Sequence, residues 1–414
     1  LELFQSTNPN GVALSDVFDK SLPAMGGRML KHWLAFPERN LSKIEERLDL
    51  VEALTKDDSI QDKMANHLSE IVDIERIVAK IATQKISPRA LVQLGKSLDQ
   101  ITEIKVDLLD HPSTKLKTLG GRFLDAMEVI KLIKSTLKSE APVLLGKGEV
   151  IADGVNVELD ELRQLLHSGK EHLDSMLERE SERTQIPSLK IAFNNGFGYY
   201  IEVRNTHREK VPEDWIRKQT LVSAERYITE ELKEYEIKIL GAEEKIKSLE
   251  SRLYFELLTE LQKYLELLKT NAQQVARLDV IWCFAFLALK HKYSRPHFFD
   301  TPLLEIKEGR HPVIEQQLPP GTPFIANDLI LDPLSQQIIM ITGPNMSGKS
   351  AILRQTALLV LMAQMGSFVP VVAMKSGVID KIFTRVGASD NISMGESTFM
   401  VEMNETASIL NNIT

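Results

Sequence analysis

A single octapeptide decides the fold of the C-terminal part of this chain: Gly343-Pro344-Asn345-Met346-Ser347-Gly348-Lys349-Ser350. It fits Gly-x-x-x-x-Gly-Lys-Ser/Thr, the P-loop pattern whose backbone N–H groups bind the phosphates of a nucleotide. The apolar run at residues 338–341 predicts a buried strand before the loop, and residues 351–365 predict a helix after it. A glycine turn that merely precedes a helix is the alternative interpretation.

The residues of this loop have distinct predicted roles. The glycines let the backbone wrap tightly, and the start of the following helix adds the positive end of its dipole. Lys349 is expected to reach the outer phosphates and Ser350 to bind Mg²⁺. All eight residues are therefore candidates for nucleotide binding, with ATP and Mg²⁺ as the predicted cofactors.

An acidic partner for this loop is missing from the sequence that follows it. Nucleotide hydrolysis normally requires a strand that ends in acidic residues, which hold Mg²⁺ and position water. The nearest match, Val378-Ile379-Asp380, is too short, and Lys381 follows it. We therefore expect a nucleotide site that is incomplete for hydrolysis in this chain.

The composition is that of an ordinary globular protein of two to four domains, with 43% hydrophobic and 26% charged residues. No uninterrupted apolar stretch approaches the length of a membrane span, so no membrane is expected. The chain opens Leu-Glu-Leu-Phe without an initiator Met, which suggests an internal segment of a longer protein. A single cysteine, Cys283, excludes intrachain disulfides and fits a reducing cytoplasm; its apolar neighbours predict a buried thiol.

The remaining pattern predicts helices joined by one small β region, and then a β-like stretch with residues 303–306 that leads into the nucleotide-binding part. Residues 1 to about 140 are mostly helical, with breaks at 83–88, at His111-Pro112 and at 145–148. A long polar helix is expected at 157–181, strands at 189–193 and 199–203, and helix again from about Ser223. A further helical stretch is expected at 271–292. The helix from about Ser223 has about 45 residues and a shifted leucine phase near its end, so it would span roughly 65–70 Å. We expect it to pair with the helix at 157–181 as two antiparallel arms with a β tip.

The β region also carries a local excess of basic residues, although the whole chain has a net charge of −8. Arg204, Arg217 and Lys218 lie there among tyrosines and a tryptophan, which suits contacts to the phosphate backbone of DNA. The alternative is an ordinary solvated surface over core tyrosines. His311 has no second ligand at metal-binding spacing and is interpreted as structural or adjacent to the nucleotide.

A second glycine turn, Gly395-Glu396-Ser397-Thr398-Phe399, opens a predicted helix at 399–411. An ordinary helix N-cap is the simplest interpretation. Together with the upstream P-loop, it suggests a composite site in which Ser397 of one subunit covers the γ-phosphate held by another.

Together these segments resemble the MutS family of DNA mismatch-repair proteins, of the bacterial type, along the whole chain. Pro344 to Ser350 is similar to the family variant of the P-loop. The segment Phe324-Ile325-Ala326-Asn327-Asp328 resembles the one whose aromatic residue stacks on adenine and whose Asn lies beside the nucleotide. Residues 397–403 resemble the signature that donates a Ser across the dimer. Further similar segments are 197–203, 216–220 and 225–229 of the clamp, and 25–30 and 73–76 of the lever.

The resemblance implies a mainly α lever and core with long antiparallel helical arms and a small β-rich clamp, followed by a partial α/β ATPase domain of the ABC type. The implied boundaries are 1–172 and 233–295 for the lever and core, 173–232 for the clamp, and 296–414 for the ATPase region. The implied function is an ATPase of mismatch repair that encircles mismatched double-stranded DNA as a homodimer, works with a MutL-type partner, and resides in the cytoplasm with the nucleoid.

The sequence lacks the family's mismatch-reading domain, a complete connector, the acidic strand end, the later His and the C-terminal dimer helices. We therefore expect this chain alone to be inactive as an ATPase and not to recognise mismatches. Two alternatives remain open: an ATPase of chromosome maintenance or break repair with a coiled-coil arm, and a non-enzymatic DNA-clamp scaffold.

Overall fold

Leucine and isoleucine at spacings of three and four residues place most of this chain in helices. A computed structural model describes residues 1–6, 8, 10–194, 198–319, 321–344, 347–385 and 398–413. The chain folds into two compact units. Unit 1 comprises Leu1–Glu75, Ser97–Ala126 and Leu267–Thr414, and unit 2 comprises Arg76–Lys96 and Met127–Glu266. The domain boundaries expected from the sequence stay predictions.

Eight helices form the first third of the chain, and side-chain caps begin several of them. Asn40 accepts a hydrogen bond from the Lys43 amide, and the Ser87 hydroxyl accepts one from the Ala90 amide at 3.3 Å, which confirms the predicted break before Pro88. The helices are α1 Leu14–Phe18, α2 Ala24–Ala35, α3 Leu41–Thr55, α4 Asp58–Ser69, α5 Ile74–Ala82, α6 Pro88–Asp110, α7 Thr114–Gly120 and α8 Met127–Thr136.

The long helices match the prediction in kind but differ at their ends. The polar helix α9 spans Val157–Thr184. Helix α10 spans Glu230–Leu261 and does not begin near Ser223, because Thr229 caps its first turn and accepts a hydrogen bond from the Leu232 amide at 3.1 Å. A 3-10 turn at Gln262–Tyr264 then separates α10 from α11, Leu265–His291. The predicted single helix of about 45 residues is therefore wrong, and the shifted leucine phase marks the turn.

Helices α9 and α10 lie antiparallel within unit 2, as predicted. Their contacts run in opposite directions along the two helices: Arg179 pairs with Glu231, and Arg163 pairs with Glu250 at 2.6 Å. Between these pairs, the ring of His172 stacks on that of Tyr235 at 5.5 Å.

A four-stranded antiparallel sheet joins the two arms in unit 2. Its strands are β1 Lys190–Asn194, β2 Gly198–Arg204, β3 Ile216–Thr220 and β4 Ala224–Ile228, in the order β1-β2-β4-β3. The sequence predicted only the first two strands. Beneath the sheet, Ile201, Val203, Trp215 and Tyr227 pack with Met176 of α9 and Leu232 of α10, so the arms and the sheet share one core.

Unit 1 is built around α11, which is buried on nearly every side. Cys283 is fully buried and its thiol contacts the carbonyl oxygen of Phe18, which confirms the predicted core thiol. Burial raises the pKa of this thiol to about 12. One stretch within Glu230–His291 is apolar enough to cross a membrane, with a mean hydropathy of 1.3, but 72% of it is buried inside the protein. Core helices of globular proteins meet the same criterion, so this stretch is no argument for a membrane span.

A second four-stranded sheet follows α11 in unit 1. Its strands are β5 His297–Phe299, β6 Leu304–Gly309, β7 Asn327–Leu331 and β8 Ala373–Gly377, in the order β5-β8-β6-β7, with only the β5–β8 pair parallel. The helices of this region are α12 Ile314–Gln317, α13 Lys349–Met365 and α14 Thr398–Asn412. Helix α13 confirms the helix expected after the P-loop.

The strand expected before the P-loop is absent, which corrects the prediction for residues 338–341. Ile338 is 83% exposed and Met340 is 86% exposed, although both are apolar. A buried strand needs neighbouring strands that satisfy its backbone groups. None of the described strands pairs with this run, so it remains extended chain without a ladder.

Candidate nucleotide-binding site

The predicted phosphate loop lies at the N-terminus of α13 in unit 1. Gly343 has a φ of +151° and Gly348 a φ of +85°, conformations that glycine adopts without the strain a side chain would cause. Gly348 is the N-cap of α13, and its carbonyl accepts hydrogen bonds from the amides of Ala351 and Ile352 at 3.0 and 3.1 Å. The loop therefore turns directly into a helix whose first N–H groups are available to an anion.

The side chain of Lys349 turns back into this loop. Its ammonium group donates hydrogen bonds to the carbonyl oxygens of Gly343 and Pro344, the second at 2.7 Å. The hydroxyl of Ser347 also donates to the Pro344 carbonyl, at 2.8 Å. The loop thus holds the positive charge of Lys349 at the N-terminus of α13. Asn345 and Met346, the other predicted loop residues, lie outside the described residues.

Ser350, the predicted Mg²⁺ ligand, lines a cavity of about 400 Å³ with residues from three distant parts of the sequence. Glu2, His311 and Arg354 contribute to its wall, and Arg354 pairs with Glu2 at 3.6 Å. Burial, and then the charge of Arg354, lowers the pKa of His311 to about 4. His311 is therefore neutral at neutral pH. Its Nδ1 accepts hydrogen bonds from the amides of Val313 and Ile314 at 3.3 and 3.2 Å.

Two further predicted nucleotide contacts lie apart from this cavity. Phe324 is half-buried in the segment before β7, and Asn327 is the first residue of that strand. The amide group of Asn327 donates to the Ile325 carbonyl at 3.1 Å. Neither residue lines the cavity at Ser350, so the structure does not place the predicted adenine contacts in that cavity.

The predicted trans signature is only partly covered by the structure. Ser397 lies outside the described residues, and α14 begins immediately after it at Thr398. Within α14, Glu402 and Glu405 both pair with Arg385, the second at 3.4 Å. These contacts attach α14 to the preceding segment, whereas the role of Ser397 stays a prediction.

The donor set fits the phosphates of ATP better than it fits a metal held by protein alone. Lys349 and the start of α13 supply positive charge and N–H donors, as phosphate requires. Ser350 is the single predicted Mg²⁺ ligand, and no group of three or more His, Cys, Asp or Glu residues that could hold a metal occurs in the described part of the chain. Mg²⁺ in such sites is normally bound through substrate phosphates, which agrees with one protein hydroxyl.

The opposite end of α13 is held by α3. Arg47 of α3 donates to the carbonyl of Met365, the last residue of α13, at 3.0 Å. Gly366, the C-cap, has a φ of +85°, and a Cβ at this position would collide with the side chain of Arg47. Gln364 adds hydrogen bonds to the carbonyls of Glu38 and Ile379 at 3.1 and 3.0 Å. The P-loop helix is therefore fixed to the helical part of unit 1.

The predicted DNA-binding residues lie on the sheet of unit 2. Arg204, Arg217 and Lys218 are all exposed. Arg217 and Arg208 each approach one oxygen of Glu225 at 3.4 Å, and the Tyr227 hydroxyl donates to its other oxygen. The Tyr227 hydrogen bond and the two arginines hold the pKa of this buried carboxyl below its usual range, although burial opposes them. Arg204 and Lys218 form no ion pair with any residue that the structure describes, so they are the cations open to an external anion.

A phosphate loop before a helix, in a chain that also has two long antiparallel helices and a basic sheet, is the pattern of the P-loop class of proteins with helical arms. The family model MutS domain III matches residues 1–285, and MutS domain V matches residues 339–414. The first match alone covers well over half of the chain. The chain belongs to the MutS family.

Curated relatives match this chain along its whole length. It is 59% identical over 413 residues to the DNA mismatch repair protein MutS of Flavobacterium johnsoniae, an alignment that covers 100% of this chain and 48% of that protein. It is 52% identical over 413 residues to the DNA mismatch repair protein MutS of Bacteroides fragilis, with the same coverage. The chain therefore spans about half the length of the curated relatives it matches.

Proposed function

We propose that the protein containing this chain acts in DNA mismatch repair, as an ATP-dependent protein that binds mismatched double-stranded DNA. One observation carries the proposal: a P-loop with its lysine turned into the loop opens α13, in a chain matched along its length by proteins named for mismatch repair. The family assignment favours this function over the coiled-coil chromosome ATPase that the sequence left open.

At the nucleotide site, the argument rests on the charges of Lys349 and α13. A phosphate at the start of α13 would offer Lys349 a better acceptor than the carbonyls of Gly343 and Pro344, because hydrogen bonds between ionised groups are stronger. Mg²⁺, when bound, would neutralise the phosphate charge that develops during hydrolysis. The hydroxyl of Ser350 would orient the ion, while Phe324 and Asn327 would bind the adenine side and Ser397 would act across a homodimer.

At the DNA surface, Arg204 and Lys218 would contact backbone phosphates directly. Arg217 would first have to share or leave Glu225, so we propose a smaller contribution from it. The proposed organisation keeps a clamp at residues 173–232, a lever and core at 1–172 and 233–295, and an ATPase region at 296–414. A bacterial cytoplasmic location and a MutL-type partner belong to the same proposal.

Lys349→Ala tests the nucleotide site. Loss of a hydrogen bond to a charged group costs about 1.5–3 kcal/mol, so ATP affinity should fall by roughly 10- to 100-fold. Isothermal calorimetry on the 414-residue chain and on a full-length relative gives the measurement. Lys131→Ala, which removes an exposed lysine of α8, is the matched control and should leave ATP affinity unchanged.

Equal ATP affinity in Lys349→Ala and the unsubstituted chain would refute the phosphate site. A separate assay of steady-state ATP turnover tests whether the nucleotide site of this chain is complete enough for hydrolysis. The 414-residue chain should hydrolyse ATP far more slowly than the full-length relative, and equal turnover would contradict the expected need for an acidic partner. Retained DNA binding without any nucleotide binding would favour the scaffold alternative.

A further inference from the structure

A second cavity, of about 550 Å³, lies in unit 1 away from the P-loop. Its walls carry five cationic side chains: Arg28, Lys43, Arg47, Arg122 and Arg277. We call it the basic cavity. Its volume falls within the range of about 300–1,000 Å³ that is typical of small-molecule sites.

One of these cations is fully matched by carboxylates. Arg28 pairs with Asp73 and with Glu75, each at 2.6 Å, and its guanidinium donates to both. Hydrogen bonds to these carboxylates raise the pKa of Arg28 above its usual range, although burial opposes them. Arg28 therefore has no unmatched charge to offer a ligand.

The other four cations share only two carboxylates. Arg122 and Arg277 both pair with Glu46, the second at 2.8 Å. Lys43 and Arg47 both approach Glu38, at 3.6 and 3.8 Å. Burial opposes ionisation of both carboxyls, but their pKa values are held below the usual range. At Glu46 the two arginines do this; at Glu38 it is mainly hydrogen bonds from the backbone amides of Asn40 and Arg39. Both are thus charged at neutral pH, so these four cations keep an excess of two positive charges. Arg28 with Asp73 and Glu75 has one excess negative charge.

A buried donor here also lacks a partner. The Nε atom of Arg277 is buried and makes no hydrogen bond with the described residues. Arg47 is mostly buried, and burial lowers the pKa of its guanidinium to about 10. A buried donor without an acceptor costs free energy, which a bound anion would recover.

The floor of the basic cavity is apolar. Met25 is buried and Met29 half-buried, and both line the cavity. Trp33 lines it too, but the guanidinium of Arg47 covers its ring at 3.6 Å. Met29, packed beside the buried Met25, is therefore the apolar surface open to a ligand, and flexible thioethers adapt to flat groups.

We propose that the basic cavity binds a small organic phosphomonoester, with the phosphate dianion between Arg277, Arg122 and Arg47 and the organic part on Met29. A dianion matches the two excess charges of the group formed by Lys43, Arg47, Arg122 and Arg277, and the planar guanidinium groups suit phosphate oxygens. Glu46 and Glu75 on the walls exclude a continuous polyanion such as DNA, because its neighbouring phosphates would face these carboxylates. The site is separate from the P-loop and does not depend on ATP binding.

Phenyl phosphate is the probe, because it joins a phosphate dianion to a flat apolar ring. Phenyl sulfate has nearly the same shape but a single negative charge at about pH 8. Calorimetry uses the whole chain with Lys349→Ala, so that the P-loop does not compete for phosphate. We expect one saturable site for phenyl phosphate, with binding of phenyl sulfate at least about tenfold weaker.

Two accessible cations allow the cavity to be tested without removing its buried ones: Arg122 is half-exposed and Lys43 is exposed. Arg122→Gln should weaken phenyl phosphate binding by about tenfold, the loss typical of one charged hydrogen bond. Lys43→Gln removes a nearby positive charge without a proposed hydrogen bond and should weaken binding less. Lys63→Gln removes an exposed lysine of α4 that pairs with Asp107, and it should not weaken binding. Thermal melting of each variant establishes that it is folded.

Three results would overturn the proposal: no saturable binding of phenyl phosphate, equal affinity for phenyl sulfate, or equal weakening by Lys63→Gln. Binding of an oligoglutamate peptide that phenyl phosphate fails to displace would also overturn it, since the surface would then serve an acidic protein segment.

Discussion

At the scale of single residues, Asp279 of α11 is a buried carboxyl of unit 1 with one oxygen that lacks a partner among the described residues. Its side chain is fully buried, and one carboxyl oxygen accepts a hydrogen bond from the Leu22 amide at 3.1 Å. The other oxygen has no partner among the described residues and lies against Gly26, where a Cβ would collide with it. Burial raises the pKa of this carboxyl to about 7.

Because the pKa of Asp279 is raised in the folded state, the direction in which stability changes with pH follows. Between about pH 4 and pH 7 the folded state binds a proton at Asp279 that the unfolded state has released, so stability falls as pH rises through this window. Asp279→Asn keeps the acceptor for Leu22 and removes the charge. We expect it to raise the free energy of unfolding at pH 8 by up to about 4 kcal/mol, and to have little effect at pH 4.

Urea unfolding at about pH 4, 6 and 8, followed by tryptophan fluorescence, checks this expectation. Asp62→Asn removes an exposed carboxylate of α4 and serves as the matched control. A stability gain for Asp279→Asn that is the same at both ends of this pH range would show that titration is not its cause.

At the scale of elements, the C-terminus of α13 has a glycine that is required for two separate reasons. Gly366 has a φ of +85°, and its Cα lies against Arg47. Gly321 has nearly the same φ, +86°, but a Cβ there would meet nothing within 4 Å. Both changes to Ala incur the backbone strain, but only Gly366→Ala adds a steric clash.

We therefore expect Gly366→Ala to destabilise unit 1 by about 1–3 kcal/mol more than Gly321→Ala, the usual cost of overpacking. Differential scanning calorimetry of the two variants gives the comparison. Equal melting temperatures would mean that Arg47 can move aside and that the packing of α3 against α13 is loose.

The predicted and observed elements differ where tertiary partners decide the structure. Helix α13 follows from its sequence, because an apolar helix after a glycine loop needs no distant partner to be recognised. Strand β3 was missed because Ile216–Thr220 is largely polar and exposed, and only its pairing with β4 defines it as a strand. Strand β4, Ala224–Ile228, lies where the sequence predicted helix from about Ser223. The strand predicted at residues 338–341 failed in the opposite way. These residues are apolar enough for a buried strand, but none of the described strands pairs with them.

At the scale of the whole molecule, DNA binding should depend on charge at the sheet of unit 2. Lys218→Glu should weaken binding to double-stranded DNA and lower the slope of log affinity against log salt by about 0.9 for each phosphate that the protein no longer neutralises. Arg217→Glu should have a smaller effect on the slope, because Glu225 already engages this arginine. Fluorescence anisotropy over a salt series measures both slopes.

Lys131→Glu makes the same change of charge on α8 and is the control for net charge. If Lys218→Glu, Arg217→Glu and Lys131→Glu change the DNA affinity and the salt slope equally, the proposal that the sheet of unit 2 binds DNA is wrong.

The candidate nucleotide site was only partly predictable from the sequence. The P-loop pattern identified Lys349 and Ser350 because their spacing is local. The wall around Ser350 could not be predicted, because Glu2 and His311 are distant in sequence and reach Arg354 only in the folded chain. The basic cavity was missed for the same reason, since its cations come from α2, α3, α11 and the segment after α7.

The hydrogen bonds of His311 also determine which of its ring nitrogens carries the proton. Nδ1 accepts from two backbone amides, so the neutral ring must be the Nε2–H tautomer. With its pKa near 4, the imidazole keeps this form throughout the physiological range. His311 therefore presents a permanent hydrogen-bond donor and cannot serve as a general base, and any proton released beside Ser350 has to be accepted by water or by another side chain.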